Sequence, residues 1–214
     1  MPTLNIRQYR YGAVISLCIA LAMLWVSFSM GKNEFFLLLN GNLGSIADYF
    51  FAIFTNAGDA SLWIVALLIT LFVLKQKKLW PLLLSGFVIS TILTQACKYF
   101  IFPNELRPYK AIPAKAAIHH VLFVQPLNLS SFPSGHTATA FSIYLVFCLL
   151  LPGRWWLWVG LLYGLLVGYS RVYLAQHFPL DVAAGIIVGV VTVVASLYIQ
   201  KVICRKQQAG KPAL

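Results

Sequence analysis

The stretch SRVYLAQHFPLD, residues 170–181, lies between two long apolar runs and holds an arginine, a histidine and an aspartate. The whole chain of 214 residues has only five carboxylates and four histidines, so their meeting here is unusual. If the flanking runs cross a bilayer, this stretch is a turn at the membrane surface that gathers polar side chains at the ends of two helices.

Composition supports that premise. Hydrophobic residues make up 60% of the chain and charged ones 10%, against about 25% charged in soluble domains. A helix crosses a bilayer with roughly 20 mostly apolar residues, and the sequence predicts spans near 11–30, 60–75, 80–102, 135–151, 155–173 and 180–203. The span at 60–75 is the shortest, with the uncharged core SLWIVALLITLFVL. Before it, SIADYFFAIFTNAGD (45–59) reads as an interfacial amphipathic helix, which makes 31–59 a surface-lying connection. The expected fold is all-α and polytopic, with six transmembrane helices and one interfacial helix. It forms one membrane-embedded domain over 1–214, with its core at about 55–203 and a basic cytoplasmic tail at 204–214.

Charge orients the spans, because cytoplasmic segments are enriched in Lys and Arg. With both termini inside, the inner segments hold Arg7, Arg10, Lys75, Lys77, Lys78, Arg154, Lys201, Arg205, Lys206 and Lys211, and no carboxylate. The outer side balances six cations against all five carboxylates. The basicity is therefore topological and gives no reason to expect a nucleic-acid partner. An integral membrane location is expected, the inner membrane if the cell is bacterial, with 170–181 on the periplasmic or extracellular side. Arg7 and Arg10 ahead of an apolar run resemble a signal peptide, but the run is too long and lacks a small-residue cleavage site near Met30, so an uncleaved helix is expected. Cys18, Cys97, Cys148 and Cys204 fall within spans or at the inner edge and read as packing residues.

The other polar oddities collect at the same outer end. Ser90, Thr91, Thr94, Gln95 and Lys98 form a stripe at helical spacing that is either helix-packing glue or one wall of a site. The outer loop carries Arg107, whose planar fork suits phosphate or carboxylate oxygens. It ends in SSFPSGHTATAF (130–141), where Ser134 fits an N-cap, Gly135 permits close backbone approach and His136 sits on the rim of a helix start able to hold an anion. His119 and His120, without nearby acidic neighbours in sequence, read as surface residues. Gly160, Gly164 and Gly168 on the fifth span, and Gly185 and Gly189 on the sixth, predict two glycine faces that meet and bring Arg171 toward Asp181. Pro179 suits a first helical turn. His177 then stands one turn from Asp181, which can accept one imidazole proton and fix the tautomer.

In order, K…RP, PSGH and SR-x5-H-x3-D resemble the three signature motifs of the type 2 phosphatidic acid phosphatase superfamily, over roughly residues 55–200. The last two match without gaps. In the first, the usual lysine position holds Phe100, and Lys98 stands nine residues before Arg107 in place of seven. The resemblance implies a lipid phosphate or diphosphate phosphatase. Lys98, Arg107, Ser134, Gly135 and Arg171 would bind phosphate, His177 would be the nucleophile oriented by Asp181, and His136 the acid and base. Outside Asp181 the outer motifs hold only Glu105, too few carboxylates for a metal centre, so neither metal nor cofactor is expected. The implied partners are a phosphorylated lipid substrate and the surrounding membrane lipids, with no obligate protein partner evident. Two alternatives stay open: a phosphotransferase that passes the phosphoryl group to another lipid, and a non-enzymatic anion or lipid transporter.

Overall fold

The computed structural model describes residues 4–209, and every regular element among them is helical. Nine α-helices follow one another: α1 (Ile6–Met30), α2 (Lys32–Leu39), α3 (Ser45–Phe54), α4 (Leu62–Leu68), α5 (Trp80–Ala96), α6 (Pro108–Ala111), α7 (Gly135–Leu150), α8 (Trp155–Tyr173) and α9 (Pro179–Ala209). The end of the basic tail, 210–214, lies outside the described residues.

Contacts between distant segments define two ends of the bundle. At one end the Asn5 N–H donates to the Leu149 carbonyl, and Gln200 bonds both the Leu82 N–H and the Lys78 carbonyl. At the other, Asn40 bonds the carbonyls of Val172 and Tyr173, and the Ser134 N–H donates to the Asp181 carbonyl. The predicted inner cations that fall within the described residues belong to the first end and the signature motifs to the second.

Among the described residues, length and apolar character alone qualify three helical runs to cross a membrane: Ile6–Met30, Lys77–Ile101 and Pro179–Gln207. A fourth qualifies only if Ser45–Gly58 and Leu62–Val73, bent by 61°, count as one span. The expected interfacial helix and the short second span thus reach the length of a span only together, across that bend. The α7 helix has 16 residues, about 24 Å at 1.5 Å per residue. Outward faces carry large exposed apolar side chains, among them Leu21, Trp25 and Phe28 on α1, Ile92 on α5, Trp158 and Leu162 on α8, and Val194 on α9.

The expected meeting of glycine faces is corrected by the position of α7. Every side chain from Thr137 to Leu149 is buried, as befits a helix apolar or small on all sides, and α7 therefore takes the centre of the bundle. A Cβ on Gly185 would stand 2.6 Å from the Ser134 carbonyl oxygen, and one on Gly189 would stand 3.0 Å from Phe141 Cβ. From the other side, Gly164 faces the Phe141 ring and Gly160 faces Tyr144. Both ridges grip α7, and only Gly168, against Val182, brings α8 and α9 together near their outer ends.

The histidines of the outer loop also differ from expectation. His119 and His120 are half-buried. The His119 Nε2 lies 2.9 Å from Asp48 Oδ1, which also accepts from the Tyr173 hydroxyl at 2.6 Å, and the His119 N–H donates to Asn40. Asp48 is 71 residues away in sequence, so a local reading had no means of supplying the pairing. The network ties α3 and the outer loop to the end of α8.

Candidate active site

Three segments deliver the site. The first is the end of α5, where the helix passes into a π-helical turn at Cys97–Ile101. A wider i→i+5 turn takes up one extra residue, one of the two by which the Lys98–Arg107 spacing exceeds the usual seven. Lys98 in this turn lines a cavity of about 200 Å³, together with Ser90, Thr91, Thr94 and Gln95. The whole polar stripe faces one space. Phe100, at the position where the family has lysine, is 84% exposed.

The second segment is the start of α7. Ser134 is its N-cap: Oγ accepts from the Thr137 N–H at 3.4 Å and the Thr137 hydroxyl at 2.8 Å. Ser134 is fully buried, and its acceptor capacity is committed to the cap, while Gly135 and His136 form the cavity wall. A Cβ on Gly135 would meet nothing within 4 Å, so the backbone there is open to a ligand. The first N–H groups of a helix have no intrahelical partner, and those of Gly135 and His136 make no hydrogen bond among the described residues.

The third segment is the turn between α8 and α9. The Gln176 and His177 N–H groups both donate to the Arg171 carbonyl, at 2.9 and 3.1 Å, and Ala175 takes a φ of +53° to close the reversal. A left-handed alanine costs about 1 kcal/mol or more, and the surrounding bonds hold it. The result places His177 Nδ1 3.4 Å from Asp181 Oδ2. That distance suits an ionic contact, but its geometry falls short of a hydrogen bond, and Nδ1 has no other partner. Asp181 Oδ2 instead accepts from the Ser131 hydroxyl and from the Phe178 N–H at 3.0 Å.

Arg107 brings the outer loop to this turn. Its guanidinium is buried and donates to the carbonyls of Leu129 (2.9 Å), Gln176 (2.8 Å) and Ser130 (3.4 Å), with Nη1 also 3.4 Å from His177 Nε2. Arg171, also buried, donates from Nη1 to the Thr55 hydroxyl at 2.6 Å, while its Nε is unpartnered. Burial, and then the charges of Arg107, Arg171, Lys98 and His136, hold His177 well below the ordinary histidine range. The imidazole is therefore neutral at physiological pH. A proton on Nδ1, toward Asp181, leaves a lone pair on Nε2.

The expected residues thus separate into two layers. Lys98, Gly135 and His136 line the cavity. Arg107, Arg171, His177 and Asp181 are buried beside one another and Ser134 is spent on the cap. Sequence motifs missed four contributors: Thr55 on Arg171, Gln176 on Arg107, Ser131 on Asp181, and Asp59 in the cavity wall. Of these, Gln176 sits inside the third motif beside His177 and Ser131 lies two residues before PSGH, while Thr55 and Asp59 lie in no motif.

Comparison with known proteins gives a consistent picture. The profile of the PAP2 superfamily matches residues 78–203. An undecaprenyl-diphosphatase of Sulfolobus acidocaldarius is 30% identical over 189 residues, covering 86% of this chain and 87% of that protein. A lipid A 4'-phosphatase of Bacteroides thetaiotaomicron is 28% identical over 164 residues, covering 73% of this chain and 71% of its own length. Among solved structures, Aquifex aeolicus LpxE superposes with a TM-score of 0.63 at 32% identity, over 77% of this chain and 93% of that one.

Proposed function

The chain belongs to the PAP2 superfamily, and on that premise we propose that it removes phosphate from a membrane lipid phosphate or diphosphate by way of a phosphohistidine at His177. It is a hydrolase of the phosphatidic acid phosphatase type, a phosphomonoesterase or diphosphatase. The observation that carries the mechanism is the placement of His177, with a carboxylate 3.4 Å from Nδ1 and a guanidinium 3.4 Å from Nε2.

Lys98, Arg107 and Arg171 neutralise the phosphoryl oxygens, and the free N–H groups of Gly135 and His136 add donors at the positive end of α7. His177 Nε2 attacks phosphorus while the bond to the lipid oxygen breaks, and His136, which takes up a proton as the phosphate dianion enters, gives that proton to the lipid oxygen. Water then attacks the phosphohistidine, His136 takes the water proton, the N–P bond breaks and inorganic phosphate leaves. The Asp181 carboxylate stays beside Nδ1 and offsets the charge the imidazole gains when Nε2 is phosphorylated. Ser134 serves by building the helix start.

We place the reaction at the outer face, because the segments assigned to the opposite end carry most of the cations and no carboxylate. In this reading the chain crosses the membrane six times with both termini in the cytoplasm. The substrate phosphate enters the cavity while its tails stay in lipid.

The test is phosphate release from purified lipid phosphates and diphosphates in detergent. His177→Ala is expected to lose turnover by several orders of magnitude, with a labelled phosphoenzyme trapped only in wild type. Near wild-type turnover in the variant excludes the mechanism.

A further inference from the structure

At the end of the bundle remote from the proposed active site, a cavity of about 340 Å³ opens between the start of α1 and the start of α8. Its wall includes Arg7, Gln8, Tyr11, Arg154, Leu157 and Trp158. From these residues we infer a second, non-catalytic site that binds the phosphate of an anionic phospholipid headgroup.

Charge is the first reason. All five carboxylates of the chain, at positions 34, 48, 59, 105 and 181, lie in segments of the opposite end, and neither Arg7 nor Arg154 takes part in an ion pair among the described residues. Arg7 is held in place by its own helix, with Nε donating to the Tyr11 hydroxyl at 3.3 Å and the guanidinium 5.7 Å from the Tyr11 ring centroid. The planar donor fork of Arg7 still has nitrogens to offer an anion.

The second reason is an unmet donor. Gln8 is 3% exposed; its Oε1 accepts from Asn5 at 2.8 Å, but its Nε2 is buried with no partner. A buried amide donor without an acceptor is unfavourable, and a phosphate oxygen in the cavity supplies one. The α1 and α8 helices also begin here with no acidic residue in either first turn, so two positive helix ends add to the field.

The third reason selects a lipid as the source of the phosphate. Below the arginines the wall turns apolar, through Leu157 to Trp158, which is 62% exposed on the outward face of α8. An acyl chain leaving the headgroup pocket runs onto this surface, and tryptophan suits the level of the headgroups.

The full-length protein in neutral detergent is titrated with phosphatidylglycerol, phosphatidylcholine or sodium phosphate, and bound lipid is counted by native mass spectrometry. Phosphatidylglycerol is expected to bind in preference to phosphatidylcholine. The Arg7→Ala/Arg154→Ala variant should bind it about 30-fold more weakly, from ~1 kcal/mol per arginine. Arg154→Ala alone, the fallback if the double variant melts early, should cost about fivefold on the same basis. Turnover of a lipid phosphate in neutral micelles stays at the wild-type level, which separates this site from the proposed catalytic one. Equal affinity for phosphatidylglycerol in wild type and variant, or equal affinity for both lipids, overturns the inference. Displacement of the lipid by sodium phosphate at matching concentration overturns the assignment to a lipid and leaves a free-anion pocket.

Discussion

Replacing Thr55 with valine tests whether Arg171 is held for phosphate or merely buried. The Thr55 hydroxyl is the one hydrogen-bond partner of the Arg171 guanidinium among the described residues, at 2.6 Å, and the guanidinium Nε has none. Valine keeps the shape and removes the acceptor. A hydrogen bond to a charged group contributes about 1.5–3 kcal/mol. If Arg171 meets the transition state, losing its aim removes a similar amount of stabilisation there, roughly 10- to 150-fold in kcat/KM at 1.36 kcal/mol per tenfold. The assay is phosphate release from a detergent-solubilised lipid phosphate, with thermal melting to confirm that the variant is folded. Thr55→Ser restores the acceptor and should recover most of the rate, which a packing role for the Thr55 methyl would not produce. A folded Thr55→Val enzyme within about twofold of wild type in kcat/KM refutes the positioning role.

Three further outcomes follow from the geometry. Gly58→Ala would place a Cβ 2.5 Å from Val167 Cγ1 and 3.0 Å from both His136 Cβ and its carbonyl oxygen; overpacking of this kind costs about 1–3 kcal/mol and should lower both the melting temperature and turnover, whereas unchanged turnover means His136 does not need its present position. Lys98→Met should raise KM for the lipid phosphate, and adding Phe100→Lys should not rescue it, because Phe100 points outward; rescue shows that the lysine of the usual spacing can reach the site. The depressed affinity of His177 for protons makes the fold pH-sensitive: as pH falls below ~6.5 the unfolded chain takes up a proton that folded His177 refuses, so stability drops from that pH toward the lower folded value. Wild type should therefore lose more melting temperature than His177→Gln between pH 7.5 and pH 5, and parallel losses contradict a buried neutral imidazole.

The parts of the site legible in the sequence were those in which neighbours along the chain are neighbours in space. His177 and Asp181 are four residues apart on either side of a helix start, and the polar stripe on α5 recurs at helical spacing, so both could be placed from periodicity. Thr55 is 116 residues from Arg171, and nothing in TNAGD distinguishes a threonine that accepts from a buried arginine from one that begins a turn. The central place of α7 was hidden for a related reason. Glycine ridges on α8 and α9 announce close packing without naming the partner, and consecutive helices were the simplest pairing. The lysine spacing departs from the usual one, but a π-turn changes which face a residue occupies, and sequence counting assumes a uniform helix.

On the proposed mechanism, the way the arginines are held bears on why the site would attract phosphate. Arg107 spends its donors on the carbonyls of Leu129, Ser130 and Gln176, and Arg171 on a hydroxyl. These are neutral acceptors. They reduce the cost of burying a guanidinium without cancelling its charge, which a carboxylate partner would do. Asp181 is the one carboxylate among the buried site residues, and its Oδ2 takes the Ser131 hydroxyl and the Phe178 N–H beside His177. Excess positive charge is therefore retained around the imidazole in a water-poor pocket, where an arriving phosphate can exchange weak carbonyl acceptors for charge-assisted bonds. Burial and then the same field keep the histidine unprotonated, so on the proposed mechanism the arrangement that would bind the anion also leaves Nε2 a lone pair for attack.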